Sequence, residues 1–547
     1  MRNLAVASMA ILMLGLLGGC KKSPADRAAA TAQPVSKPEP ILRLHWVGKG
    51  RLSTDTNAAG LMSVLNLPAS ARLEQQTLEK LAAAPSRLAG SQTNFAAILL
   101  RPLLTQLMTE ECYLEIRTDN HNTNRNFDLV LAVRVNDAQA LLWRSNLAAA
   151  AQSLSGVSAT TNLQGWSIKK HDFPNLLELR RVGSWTLVGL GQDENKLLAE
   201  MATRAEKGSP VTAVYSQVPD AWLAIEADPQ RCSRILQLGT KVPADLPRVS
   251  LAVTGDGENV RTRGSIVFPK PLGFELEPWK VPTGLIHDPL CSFTAVQGIK
   301  QWLTSLPSVK SLQIDSPPNQ IFAWAMDLTP LQAYAAAPLA DVTNQVSRMS
   351  GVLIDKVSPF LRTNAMGQIE RTPSGEGVFW SGLPYMTAFL QPMKTAEGDF
   401  AYVSLVPYMV TNNPAPAELL QVLTNQPNMV AYQWELTGPE IDSWIYKTQF
   451  ARMLAEKPQL PAGSASMAWL QVAKTNLGNC VTTVTKTDSN QLSFLRKSSC
   501  GFSSLELHLL ADWLESPDFP IGLHTFDATN PPSKRKSSSQ PPPAPGK

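Results

Sequence analysis

Four stretches in the body of the chain share one pattern, and this recurrence constrains the possible folds more than any other feature. Each begins with apolar residues at every second position, which is typical of a strand with one buried face. Each then reaches a helix-start signal, after which apolar residues recur at helical spacing. The four stretches are LVLAVRVNDAQALLWRSNL, WLAIEADPQRCSRILQLG, FAWAMDLTPLQAYAAAPL and VAYQWELTGPEIDSWIYK. The recurrence predicts repeated strand–helix units.

Short polar side chains and prolines predict where these helices begin. Asp137 and Asp228 are candidate N-caps, because a side-chain oxygen can accept a hydrogen bond from an unpaired amide in the first turn. Thr329 and Thr437 hold the corresponding places in the third and fourth stretches, and Gly438 is a rival cap to Thr437. Prolines are expected at the first helical position, where a missing N–H costs least. These prolines are Pro229, Pro330 and Pro439.

A pair of strand-like segments follows each predicted helix, with turn residues between its two halves, as in a β-hairpin. The third helix differs from the others, because we expect it to break near Pro338 and to resume at Val342. The four hairpin candidates are LLELRRVGSWTLVGL, RVSLAVTGDGENVRTRGSIVF, GQIERTPSGEGVFWSGL and NCVTTVTKTDSNQLSFL.

Together these elements predict an α+β fold of repeated strand–helix–hairpin units, which form antiparallel sheets with helices on one face. The 547 residues exceed what one core usually holds, which agrees with several units. A strand from Ile41 and helices such as Ala69 to Ala84 would complete the first unit. The alternative is chance, since caps and prolines occur in any α+β protein. The predicted units span residues 41–210, 211–310, 311–415 and 416–527.

The N-terminal segment carries a second informative pattern. Arg2 precedes an apolar run from Leu4 to Leu17, which is shorter than the roughly 20 residues that span a bilayer. The sequence Leu17-Gly18-Gly19-Cys20 resembles the lipobox of bacterial lipoproteins. This resemblance implies that residues 1–19 are a signal peptide and that Cys20 carries acyl chains such as palmitate. The alternatives are an ordinary signal peptide or a membrane anchor with an accidental cysteine.

The same resemblance implies a place in the cell. Lys21 and Lys22 stand where an aspartate would retain such a lipoprotein at the inner membrane, so the outer membrane is favoured, with the body in the periplasm or facing the surface. Parts of the body, notably IHDPLCSFTAVQGIKQWL, also resemble predicted bacterial envelope proteins of unknown function. That second resemblance implies no activity.

Both ends of the mature chain are predicted to be disordered. Residues 20–40 contain few large apolar residues and form a tether, and residues 528–547 form a basic, proline-rich tail. The segment Lys534-Arg535-Lys536 would contact an anionic envelope polymer, or it is simply solvated. A net charge of +4 over the whole chain predicts no nucleic-acid surface.

An exported protein can keep disulfides, so its cysteines are candidates for pairing. Cys480 and Cys500 flank the last hairpin symmetrically, and a three-residue turn centred on Asn490 would place them opposite each other. A shift of one residue in register would break this arrangement. We therefore expect a possible disulfide between Cys480 and Cys500, and the remaining cysteines are expected to be buried apolar residues.

The sequence offers little evidence for catalysis. The six histidines are scattered, without the spacing of a zinc site, so no metal and no cofactor are predicted. The polar loop DNHNTNRN lacks the glycine and glutamate of a calcium-binding loop. Nucleophile motifs such as Gly-x-Ser-x-Gly do not occur, and Ser167-Ile168-Lys169-Lys170 lacks the companion motifs of penicillin-binding enzymes. Adjacent carboxylates such as Glu110-Glu111 are better explained as charges at helix ends.

Tryptophans in three of the strand units allow two interpretations, of which core packing is the ordinary one. Trp222, Trp324 and Trp434 are expected to pack in cores, or to form a concave aromatic surface that binds a lipid or a glycan. The sequence therefore favours a non-enzymatic, lipid-anchored envelope scaffold or binding protein, with a protein, lipid or glycan as partner besides the membrane. The alternative is a hydrolase that acts on an envelope polymer through a dispersed active site.

Overall fold

The computed structural model describes most of the body of the chain, and every structural statement here concerns these residues. They are 39–88, 94–118, 127–161, 165–169, 176–191, 195–209, 211, 218, 220–235, 246–326, 332–382, 387–405, 413–454, 463–516 and 519–520.

The strands of the first part are β1 (Glu39–Trp46), β2 (Cys112–Thr118), β3 (Asp128–Arg134), β4 (Thr160–Thr161), β5 (Gly165–Lys169), β6 (Leu176–Val182), β7 (Trp185–Gly191), β8 (Leu223–Ala227), β9 (Arg248–Gly255) and β10 (Val260–Val267). Those of the second part are β11 (Leu290–Gln297), β12 (Gln320–Met326), β13 (Ala333–Pro338), β14 (Gln368–Arg371), β15 (Val378–Ser381), β16 (Ala388–Thr395), β17 (Gly398–Ser404), β18 (Met429–Leu436), β19 (Asn479–Asp488) and β20 (Gln491–Ser498).

The α-helices are α1 (Lys49–Leu52), α2 (Ala59–Leu65), α3 (Pro68–Leu88), α4 (Phe95–Thr109), α5 (Asp137–Ser155), α6 (Lys196–Glu206), α7 (Pro229–Ile235), α8 (Lys300–Ser305), α9 (Pro307–Ser311), α10 (Val342–Val352), α11 (Ser358–Thr363), α12 (Ala417–Thr424), α13 (Thr437–Leu454), α14 (Ala465–Ala473) and α15 (Ser504–Glu515). A π-helical turn, Leu353–Val357, joins α10 to α11.

The strands form one antiparallel sheet, and their order repeats. From one edge, the N-terminal half (β1–β10) runs β4-β5-β6-β7-β3-β2-β1-β8-β9-β10. From the other edge, the C-terminal half (β11–β20) runs β14-β15-β16-β17-β13-β12-β11-β18-β19-β20. The halves meet where β10 pairs with β20, with Thr262 opposite Arg496. Each strand of the second half thus holds the place of the strand ten positions earlier.

Helices cover both faces of this sheet, because side chains alternate along each strand. On the front face, which bears Leu129 and Leu131 of β3, the helices α3, α4 and α5 complete the largest apolar core. On the back face, which bears Val130 and Ala132 of the same strand, α6 contributes a separate core. The fold class is therefore α+β with an antiparallel sheet, as predicted. The expectation that the helices lie on one face is wrong.

The C-terminal half places its main core on the back face. Phe293 of β11, Trp324 of β12 and Tyr402 of β17 pack there with α12. Ala401, the neighbour of Tyr402, points to the front and packs against α10. The two halves thus share a strand order and differ in which face carries most of the apolar packing.

The four predicted hairpins are confirmed as β6–β7, β9–β10, β14–β15 and β19–β20. The strand at Ile41 and a helix covering Ala69 to Ala84 are also present, as β1 and α3. The predicted helix through Ala333–Pro338 is wrong, because this segment is β13. Its neighbours β12 and β17 pair with it on both sides, and Tyr334 and Ala336 alternate into the core. Tertiary pairing here overrides the helical preference of alanine.

The predicted helix starts have mixed outcomes. Asp228 is confirmed as a cap, since its Oδ1 accepts a hydrogen bond from the Arg231 amide at 3.0 Å. At α5 the cap is Asn136 and not Asp137, because the extended backbone of Asn136 lets it form a capping box with Gln139. Thr437 is the first residue of α13, so Pro439 is its third. Thr329 and Pro330 lie outside the described residues. The division into four units stays a prediction.

Candidate functional site

The cysteines predicted to pair lie apart in the register of the last hairpin. Its turn holds two residues, Ser489 and Asn490, and the register shifts between Lys486 and Asp488, so Val481 faces Lys497. Cys480 is therefore not opposite Cys500, and both are free thiols in the structure. The symmetry argument for the disulfide was wrong, because it assumed a three-residue turn. Cys20, the predicted lipid attachment residue, and Lys534-Arg535-Lys536 lie outside the described residues.

The three tryptophans of the predicted aromatic surface do not converge. Trp324 is buried in the back core of the C-terminal half, where its ring stacks on Tyr334. Trp434 packs against the same core. Trp222 instead lines a cavity on the front of the sheet, together with Trp46, which the sequence did not single out. The expectation that these tryptophans pack in cores is therefore confirmed, and the alternative of one shared aromatic surface is wrong.

This cavity, of about 230 Å³, lies where the two halves of the sheet join. Its floor consists of front-facing side chains from β8, β9, β10 and β20, and its walls come from β1, α2 and the start of α15. Most of its lining is apolar. The lining residues are Trp46, Leu61, Trp222, Leu223, Ile225, Val249, Leu251, Val253, Val260, Thr262, Ile266, Phe494, Arg496, Cys500, Gly501, Phe502 and Glu506.

The two tryptophans line the cavity without leaving a buried donor unpaired. The Trp46 Nε1 donates to the Met108 carbonyl at 3.1 Å, and the Trp222 Nε1 donates to the Asp55 carboxylate at 2.8 Å. A Cβ at Gly255 would overlap the Trp222 ring, so glycine permits this close packing. With both N–H groups satisfied elsewhere, the rings offer apolar surface to the cavity.

The two charged side chains that line the cavity, Arg496 and Glu506, are bonded to each other. Arg496 is buried; its Nε donates to the Thr482 hydroxyl at 2.9 Å, and its guanidinium also pairs with Glu506. Glu506 accepts a further hydrogen bond from the Ser503 amide at 2.9 Å. A charge removed from water is tolerated when it is paired in this way. These groups therefore close one end of the cavity with their hydrogen bonds already made.

A buried carboxylate holds α15 against the cavity. Glu435 of β18 accepts hydrogen bonds from the Ser504 amide at 2.6 Å and the Ser504 hydroxyl at 2.8 Å. Negative charge at a helix N-terminus is favourable, because the first amides have no partner within the helix. Burial raises the pKa of the Glu435 carboxyl, although the hydrogen bonds from Ser504 act in the opposite direction. Glu435 thus fixes the element that carries Glu506.

The thiol in the cavity is poorly suited to act as a nucleophile. Cys500 lines the cavity, and burial raises the pKa of its thiol to about 11, so the thiol stays protonated near neutral pH. Burial likewise raises the pKa of Cys480 to about 12.

The carboxylates Glu111 and Glu440 are engaged in ion pairs. Glu111 accepts from His45 at 3.1 Å and pairs with Arg134 at 3.3 Å. Burial alone would raise its pKa, yet His45 and Arg134 together lower it. Glu440 pairs with Lys447 at 3.2 Å. In the part of the chain that the structure describes, no group of three or more His, Cys, Asp or Glu could hold a metal ion.

Comparison of the chain with protein-family models, curated proteins and solved structures gave no match. Among the described helices, none has both the length and the apolar character needed to cross a bilayer.

Sequence reasoning missed the cavity even though it predicted the strands beneath it. Alternation in Val249, Leu251 and Val253 indicated one apolar face, but nothing local indicated that the helices would leave space above it. An apolar cavity of about 150 Å³ can stay dry and bind benzene, so a larger one lined in this way can hold an apolar molecule. The geometry suits binding.

Proposed function

We propose that this protein is a lipid-anchored, non-enzymatic binding protein of the cell envelope, and that its ligand is an apolar molecule held in the cavity at the junction of the two halves. The observation that carries this proposal is the cavity of about 230 Å³, whose lining is mostly apolar. The ion pair between the buried Arg496 and the partly exposed Glu506 is already formed, so an apolar ligand need not break it.

The membrane part of the proposal depends on the lipobox resemblance around Cys20. Acyl chains on this residue would hold the body at the outer membrane, since each buried methylene contributes about 0.8 kcal/mol. Labelling of cells with a palmitate analogue, comparing the unaltered chain with Cys20→Ser, tests this. We expect the label to disappear in the variant, and retained label would contradict the anchor.

A hydrolase acting on an envelope polymer is the alternative function. It would need a base and a nucleophile, or two free carboxylates, converging on a pocket. In the cavity, Glu506 is paired with Arg496 and the Cys500 thiol is protonated near neutral pH. These observations favour binding. A protein scaffold without a small ligand is the second alternative, and ligand binding distinguishes the two.

Binding can be tested with an apolar dye, such as N-phenyl-1-naphthylamine, whose fluorescence rises in apolar surroundings. Leu251→Trp would fill the cavity from β9, whereas Leu495→Trp adds the same ring on the back face of the adjoining strand β20, where Leu495 is 43% exposed. We expect at least a tenfold loss of dye affinity in Leu251→Trp and little change in Leu495→Trp. Equal affinities in the two variants would contradict the assigned site.

We also propose that the recurrence in the sequence reflects two related halves, each containing two of the four recurring stretches. The shared strand order supports this for the second and fourth stretches, whose strands β8 and β18 hold equivalent places. The strands of the first and third stretches, β3 and β12, are not equivalent, because β13 holds the place of β3. Superposition of residues 39–267 on 290–498 in an experimental structure is the test. We expect equivalent strands to coincide, and unrelated strand paths would contradict it.

A further inference from the structure

A second cavity, of about 110 Å³, adjoins the first and lies between the helices α2, α3, α14 and α15. Three residues line both spaces, namely Leu61, Cys500 and Phe502. We call these three residues the neck. Beyond the neck the lining is again mostly apolar. The other lining residues there are Val64, Leu65, Ser70, Leu73, Glu74, Thr77, Trp469, Leu507, Leu510 and Leu514.

The polar groups of the second cavity are also bonded within the protein. The Ser70 hydroxyl donates to the Val64 carbonyl at 2.6 Å and accepts from the Trp469 Nε1 at 2.8 Å. Glu74 pairs with Lys49 at 3.0 Å. Neither group needs a polar partner from a ligand. Like the first cavity, this space therefore offers a ligand apolar contacts above all.

The first cavity has its more open side over the centre of the sheet. Leu251, Val253, Ile266 and Phe494 are only half-buried, although all four face the front. The second cavity lies on the other side of the neck, and its lining combines buried residues such as Val64 and Leu507 with half-buried ones such as Leu65 and Leu73. The two spaces thus adjoin at the neck, one over the apolar floor of the sheet and the other within the helical layer.

Two adjoining apolar spaces that share three lining residues suit a narrow and flexible molecule that extends from one to the other. From this we infer that the ligand is an unbranched acyl chain, which lies in the first cavity and passes the neck into the second when it is long enough. The inference rests on the proposed binding function. It adds that chain length determines affinity, and that residues beyond the neck set the longest chain accepted.

This is tested by measuring affinities for saturated fatty acids of increasing length. A second arm uses lysophospholipids with the same acyl chains, and it shows whether the protein binds a free fatty acid or a chain attached to a head group. Each methylene that enters an apolar space should improve affinity about fourfold, which corresponds to about 0.8 kcal/mol. Leu73 lines only the second cavity, and Leu251 lines only the first. We expect Leu73→Trp to bind short chains normally and to lose the gain from longer ones, and Leu251→Trp to weaken all chains.

The inference is overturned if Leu73→Trp and the unaltered protein show the same dependence on chain length in both arms. If no chain binds in either arm, the proposed function itself fails. In case Leu73→Trp does not fold, alkylation of Cys500 in the unaltered protein, followed by mass spectrometry, gives an independent readout. A long chain should slow alkylation at the neck more than a short chain at equal occupancy. Equal rates for the two chains would overturn the inference.

Discussion

In the N-terminal half, β8 and β9 present Ile225 and Leu251 to the front of the sheet, and the space above them is the cavity. In the C-terminal half, the corresponding strands β18 and β19 present Glu435 and Thr482 to the front. There the start of α15 is bonded to Glu435, and Arg496 is bonded to Thr482. The same strand order thus supports an apolar space in one half and a hydrogen-bonded contact in the other, according to the front-facing residues.

This contrast has a physical reason. Apolar strand residues attract a helix without fixing its position, because the hydrophobic effect is not directional. A buried carboxylate fixes its partner closely, since leaving the amides at a helix start unpaired costs free energy. The hydrogen-bonded half therefore positions α15, and α15 in turn forms one wall of the cavity over the other half.

The largest effect on the stability of the protein is expected from substitution of Glu435. In Glu435→Leu the Ser504 amide and hydroxyl lose their buried acceptor, so we expect the free energy of unfolding to fall by about 3 kcal/mol. Glu435→Gln keeps one acceptor oxygen and should lose less. Urea denaturation followed by circular dichroism measures both. Equal stability of Glu435→Leu and the unaltered protein would show that the carboxylate does not hold α15.

A smaller difference in stability is expected between variants of two threonines that both lie beside Arg496. Thr262 and Thr482 occupy its two neighbouring strands in register, and each is 7% exposed. Thr482→Val removes the acceptor of the Arg496 Nε, so we expect a loss of about 1–2 kcal/mol. Thr262 lines the cavity, and Thr262→Val should change stability by less than about 0.5 kcal/mol. Equal losses of stability in denaturation experiments would contradict the predicted difference between Thr482 and Thr262.

The smallest effects are expected from pH. Burial lowers the pKa of His508 on α15, where Asp512 raises it and Arg452 lowers it further. The native state therefore resists protonation, and its stability should fall as the pH drops through 6.5. In His508→Gln this fall should be weaker. Stability curves that are parallel below pH 6.5 would contradict the prediction.

The contribution of Glu435 to stability should depend on pH in the opposite direction to that of His508. Its raised pKa means that the native state favours the protonated carboxyl, so its contribution to stability is complete below pH 4.5 and is lost as the pH rises through the raised value. Glu435→Gln should flatten the stability curve in that range. An unchanged slope between the variant and the unaltered protein would show that burial does not shift this group.

The sequence predicted the local elements better than their arrangement. Alternation and turn residues identified all four hairpins, because these depend on neighbouring residues. The local pattern predicts a helix over Ala333–Pro338, whereas the segment is a strand, because it pairs with β12 and with β17, which lies about sixty residues further along the chain. Asn136 and Asp137 are adjacent and equally suited to cap, so only the backbone conformation distinguishes them.

The candidate site could not be predicted for the same reason. Trp46, Trp222 and Arg496 come from distant parts of the chain and meet only when β10 pairs with β20 beside β1 and β8. Of these three residues, only Trp222 was predicted from the sequence as a candidate site residue. A cavity is moreover a property of what the covering helices leave unfilled, and hydrophobic periodicity does not report that.

The most direct measurement of the central claim is a crystal structure of the protein with a long fatty acid brominated at its terminal carbon. Anomalous scattering locates the bromine without assumptions about the rest of the ligand. The account predicts a bromine peak in the second cavity, near Leu73 and Trp469, with the chain running past Cys500 towards Trp222. A peak only on the surface of the protein, or in the first cavity with the second one empty, would contradict it.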